Sequence, residues 1–116
     1  MCALLISYRT HMAPVARITV SPKSKKKYQA IISKSDGSVK TVHFGDKRFS
    51  DFTKHKDPKR KASYLARHAP NEDWTLNGLE TAGFWSRWIL WHRPSIRESV
   101  QDLNRRFFNQ IKVNLF

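Results

Sequence analysis

Between Phe84 and Trp91 the chain sets three of its four tryptophans, a phenylalanine, an isoleucine and a leucine within eight residues. A fold for this chain has to close around that mass. At helical spacing Phe84, Trp88 and Trp91 share one face by the i, i+4, i+7 rule, with Trp85 and Ile89 beside them, so a helix is predicted from Thr81. Aromatics in this pattern usually form a core, and a chain of 116 residues needs large side chains to build one. The competing reading is an exposed stacking surface for bases, with Arg87 and Arg93 on phosphates.

Two further helices are legible from their ends. Asp57-Pro58 offers a capping carboxylate followed by proline at the first helical position, and the predicted helix runs through Tyr64 and Leu65 to His68, ahead of Pro70. Ser95-Ile96-Arg97-Glu98 is a capping box, and Pro94 blocks continuation from the preceding helix. Beyond it Ile96, Val100, Leu103, Phe107 and Ile111 recur at helical spacing, while Arg97, Asp102, Arg105 and Arg106 lie mostly off that stripe.

Tyr28–Ile32 and Val39–Phe44 are β-rich runs flanking Ser33–Ser38, whose Asp36-Gly37 pair suits a turn needing positive φ. A lone hairpin is marginal in water and has to rest on the helices. The predicted fold is therefore α+β: a small β-hairpin packed on about three helices in one domain, residues 28–116. A chain of this size buries roughly 65% of the surface its unfolded form exposes. Residues 1–27, with Pro14, Pro22 and the run Lys23-Ser24-Lys25-Lys26-Lys27, read as an extended basic N-terminal arm, with a solvated tail as the plain alternative.

Charge restricts the partners. There are 22 Lys and Arg against 9 Asp and Glu, a formal +13. Such a field draws nucleic acid, an anionic membrane surface or an acidic protein, without fixing which. The best local patch is Lys54, Lys56, Lys59, Arg60, Lys61 and Arg67 around the first helix, where Lys56, Arg60 and Arg67 are placed along one side. With Arg17, Lys23, Lys25, Lys26 and Lys27 from the arm, Lys54, Lys56, Arg60 and Arg67 are the expected partner-binding residues. Phe84, Trp85, Trp88 and Trp91 are the expected core or interface aromatics.

Catalysis has little to stand on. A single cysteine, Cys2, excludes an intrachain disulfide and a thiolate cluster, and the five histidines lie in five separate contexts. No metal or other cofactor is expected. The sharpest catalytic alternative is a metal-dependent nuclease built from Asp51, His55 and Asp57 with Glu72 and Asp73. Cys2–Ile6 is too short for a signal-peptide core of about 7–15 apolar residues. No run approaches a membrane span, so a cytosolic or nuclear protein is expected, with Met12 as an alternative start.

The ordered series Phe44-Gly45, Phe49-Ser50-Asp51-Phe52-Thr53, His55-Lys56-Asp57, Tyr64-Leu65-Ala66-Arg67-His68, Trp74, Gly78 and Thr81–Trp91 resembles a family of small basic proteins of nucleocytoplasmic large DNA viruses of algae and amoebae. The likeness spans about residues 28–107. It implies a viral source and a virion or replication-factory component, made in the host cytoplasm or nucleus, and brings no catalytic residues with it. The expected function is then a non-enzymatic minor capsid protein. Its domain docks on the major capsid protein and neighbouring minor proteins, and a partner offsets the entropy of ordering its basic arm. The alternative is sequence-independent nucleic-acid binding through the lysine cluster and the first-helix patch.

Overall fold

The computed structural model describes residues 13–116. Four strands, β1 (Val15–Val20), β2 (Lys26–Ser33), β3 (Val39–Asp46) and β4 (Lys112–Leu115), form one sheet in the order β3-β2-β1-β4. β1 and β3 run antiparallel to β2, and β4 runs parallel to β1. Helices α1 (Phe52–His55), α2 (Pro58–His68), α3 (Ala82–Trp85) and α4 (Ile96–Arg106) come after β3 in the chain.

The hairpin forms as the sequence requires, with Gly37 at φ 88° in its turn. The arm, however, has to be corrected. Residues 15–27 belong to the domain: β1 occupies an interior position and β2 begins at Lys26. Val15-Ala16-Arg17-Ile18 alternates outward and inward, burying Ala16 and Ile18 completely, and that period of two makes it a strand despite Pro14 and Pro22 at its flanks. Residues 1–12 of the predicted arm lie outside the described residues.

The sheet's inward face carries Ala16, Ile18, Ala30, Ile32, Val42, Phe44 and Val113, and Phe84, Trp85, Trp88, Ile89, Leu90, Val100 and Leu103 cover it. Across β1 and β2, Ile18 faces Ala30 and Ala16 faces Ile32, so large side chains meet small ones in register. Two indoles are core members with satisfied N–H groups. Trp85 Nε1 donates to the Leu79 carbonyl at 2.7 Å and Trp88 Nε1 to the Trp74 carbonyl at 2.9 Å.

The helix expected from Thr81 begins as predicted, with Thr81 as its N-cap, but α3 widens after Trp85 into a π-helical turn over Ser86–Leu90, closed by Trp91 N–H on the Ser86 carbonyl at 3.1 Å. One residue more per turn rotates the residues beyond it by about 100°. Trp91 therefore leaves the face shared by Phe84 and Trp88 and stands half-buried beside α2. The last helix also ends sooner than its stripe. Arg106 is its last residue, Asn109 turns left-handed at φ 65°, and Ile111 reaches the core from the turn before β4.

A buried polar chain locks α4 to the π turn. Arg87 Nη1 donates to His92 Nδ1 at 3.2 Å, so the opposite nitrogen, Nε2, carries the proton that His92 shares with Asp102. Burial, and then the Arg87 charge, hold His92 below its ordinary 6.5 against the opposing pull of Asp102. The His92 hydrogen bond, with help from Arg105 and Arg93, brings Asp102 from 3.8 down to about 2. In both cases the unfolded chain takes up the proton first as pH falls. Stability is therefore expected to be full above pH 6.5, to decline through the His92 window below it, and to drop again between 3.8 and about 2. Urea midpoints measured across this range check the profile, and Asp102→Asn should make its acid limb shallower.

Candidate functional site

Basic residues that lie far apart in the sequence meet at one cleft. It holds about 490 Å³ between the β2 and β3 ends near Lys26 and Asp46, the loop Phe49–Asp51, the flank of α2 and the π turn. Lys26, Arg60 and Arg67 contribute cations, Ser50 and Ser86 hydroxyls, and Tyr64, His68 and Trp91 aromatic surface.

The helix flank is set by local chemistry. Asp57 accepts from the amides of Lys59 at 2.9 Å and Arg60 at 3.4 Å, which starts α2 with Pro58 in its first turn. The seven-residue spacing of Arg60 and Arg67 then brings both to the same side. Lys56 does not join them. It is the left-handed C-cap of α1 at φ 56° and is absent from the cleft lining.

Each carboxylate in the lining already has a partner. Asp46 takes a two-pronged bond from Arg48, closest at 2.8 Å, which holds its pKa at about 2. Asp51 pairs with Lys27 at 2.6 Å. Glu72 joins His68 Nδ1 at 2.9 Å and accepts from Trp74 Nε1 at 2.9 Å. Gly83 makes room for Glu72, since a Cβ there would stand 2.6 Å from the Glu72 carboxyl carbon. Lys26, Arg60 and Arg67 form no ion pair among the described residues. With Asp46 and Asp51 neutralised and only the Glu72 charge left against Lys26, Arg60 and Arg67, the cleft keeps a surplus of positive charge.

An aromatic column backs this charge. Trp91 stacks on Tyr64 at 4.2 Å and 5°, Tyr64 on His68 at 4.1 Å and 24°, and His55 leans on Trp91 at 5.3 Å. Burial raises the Tyr64 phenol, with the Glu72 charge adding to it, so its hydroxyl stays protonated as a donor.

The remaining predicted site residues are dispersed. Lys27 is engaged: its ammonium bridges Asp51 and the Phe49 carbonyl at 2.7 Å, and its side chain is 13% exposed. Lys54 lies in a neighbouring depression with Lys47 and Arg48. Lys23 and Lys25 are exposed in the β1–β2 turn. Arg17 projects from the sheet face opposite the helices. Phe84, Trp85 and Trp88 are core, whereas Trp91 lines the cleft.

The five nuclease candidates are held in separate local roles. Asp51 caps α1 through the Thr53 amide, Asp57 caps α2, and His55 Nδ1 accepts from the Asp57 amide at 3.0 Å. Asp73 accepts from the Thr75 amide at 2.9 Å, and Glu72 is held by His68 and Trp74. Among the described residues no three His, Cys, Asp or Glu side chains gather as a metal-holding group. No described helix is long and apolar enough to cross a membrane.

Sequence reasoning missed Phe49, Tyr64, His68 and Ser86 as cleft residues. A signal existed in the ordered motif series, because its members Gly45, Phe49-Ser50-Asp51, Tyr64, Arg67-His68 and Trp91 line one cavity.

Comparison with known proteins adds one match. A model for a family of unknown function, DUF5754, matches residues 16–68, a little under half of the chain. The match begins inside β1 and ends at the last residue of α2, so it includes Lys26, Arg60 and Arg67 but not the π turn. No curated protein and no solved structure matches the chain.

The Lys27–Asp51 pair gives a direct test of the site's frame. Lys27→Met leaves a carboxylate that is 2% exposed without its cation. The expected loss is about 3 kcal/mol in urea unfolding. Adding Asp51→Asn to Lys27→Met should recover part of it.

Proposed function

We propose that this protein is a non-enzymatic binder of nucleic-acid backbones, indifferent to sequence, with the cleft between β2, α2 and Trp91 as its centre. The observation that carries this reading is the convergence of Lys26, Arg60 and Arg67 on a cavity whose Asp46, Asp51 and Glu72 are each engaged by a neighbour. Cations without partners at the wall of a concavity favour a ligand that brings several negative charges at short spacing, and a phosphate backbone does so. Lys47 and Lys54 in the adjoining depression extend the same surface.

A labelled oligonucleotide titrated at several salt concentrations tests it. With three phosphates contacted, affinity should fall at least about tenfold between 50 and 200 mM salt. Arg60→Ala with Arg67→Ala should reduce the log–log slope by about 1.5, since each phosphate contact contributes about 0.7–0.9. Arg17→Ala, on the opposite face of the sheet, should leave the slope unchanged. Absence of binding at low salt, or equal effects of all three arginines, contradicts the proposal.

A second, compatible reading is a structural place in a large DNA virus particle, beside the major capsid protein and neighbouring minor proteins. The resemblance of the motif series supports it. So does a surface that shares no residue with the cleft lining, where exposed Val15 and Phe108 border a groove of about 430 Å³ that also takes in Ile111 and Val113. Mass spectrometry of purified particles should recover peptides of this chain, and their absence would end that reading.

A further inference from the structure

Resting on the nucleic-acid reading, we infer that the cleft takes single-stranded rather than duplex nucleic acid, with an unpaired base stacked on Phe49. Phe49 is 66% exposed, and a lone exposed phenylalanine needs no explanation by itself. Its position does. It lines both the main cleft and the neighbouring depression of about 540 Å³, so it stands where the two meet, with cations on either side. Lys26, Arg60 and Arg67 lie on one side, and Lys47, Arg48 and Lys54 on the other.

The ring is presented by fixed backbone. The Phe49 amide donates to the Asp46 carbonyl at 3.1 Å, and its carbonyl accepts from Lys27 Nζ at 2.7 Å. Arg48 lies 5.5 Å over the ring while held by Asp46, which covers one face and leaves the other for a ligand. The main cleft runs on into a third depression through Arg60, Arg67 and Trp91, where Lys59 joins them. At the inner wall the His55–Trp91–Tyr64–His68 column ends on His68, whose side chain is 38% exposed and lines the cleft.

Cations alternating with aromatic faces along a groove match a strand whose phosphates and bases are both accessible. A duplex keeps its base faces stacked inside the helix and offers only phosphates and groove edges, so it gains nothing from Phe49.

The experiment compares a labelled oligothymidylate with a duplex of equal length by fluorescence anisotropy at 50 mM salt. Wild-type protein, Phe49→Ala, Phe49→Trp and the Arg60→Ala, Arg67→Ala double variant are each titrated. Phe49→Ala should weaken the single strand by about five- to a hundredfold, the range of one lost base stack, and change the duplex less than about twofold. Phe49→Trp should retain single-strand affinity, and the double arginine variant should weaken both ligands. Equal losses on both ligands, or no loss on the single strand, would overturn the inference while leaving phosphate binding in place. Retention of polyglutamate but of neither nucleic acid would overturn both this inference and the proposed function, in favour of an acidic protein partner.

Discussion

A buried ion pair between Lys27 and Asp51 ties the sheet to the helical layer, and the arrangement of the cleft depends on it. Lys27 reaches from β2 to the loop after β3, where its ammonium meets Asp51 at 2.6 Å and the Phe49 carbonyl at 2.7 Å. Asp51 at the same time caps α1 through the Thr53 amide and hydroxyl. One cation thus fixes the loop that carries Phe49, starts the helical half of the chain, and removes a negative charge from the cleft wall. Burial makes the pair a matter of geometry more than of net energy, since desolvation offsets much of the attraction.

The same arrangement governs the rest of the wall. Arg48 neutralises Asp46 and Lys27 neutralises Asp51, while Glu72 keeps its charge and is hydrogen-bonded by His68 and Trp74 rather than paired with Arg60 or Arg67. The π turn completes the site. Phe84, Trp85, Trp88, Ile89 and Leu90 close the core, and the extra residue per turn swings Trp91 onto Tyr64. A regular helix through the segment would have kept Trp91 with Phe84 and Trp88, leaving the cleft without that wall.

Much of the fold was legible because its signals are local. The Asp36-Gly37 turn, the Asp57-Pro58 start, and the Ser95 cap with Glu98 each satisfy backbone groups within a few residues, and all three stand where the sequence put them. β1 was hidden because proline-flanked, lysine-trailed sequence reads as a tail, and its strand identity depends on pairing with β2 and β4. β4 was hidden for a related reason. Ile111 continues the spacing of α4, and only the left-handed Asn109 separates the helix from the strand.

Residue order alone was enough for the charge surplus, the α+β character, the helix starts and the burial of most of the indole mass, because composition and capping act over a few residues. It also named Lys26, Arg60 and Arg67 as cations available to a partner. That these three share one wall, while Lys27 is consumed inside the fold and Arg17 faces away, emerged only once the chain was folded. The physical reason is that a charge counts by what lies within a few ångströms of it. Those neighbours come from β2, the loop after β3, α2 and the π turn, which sequence separation keeps apart until folding brings them together.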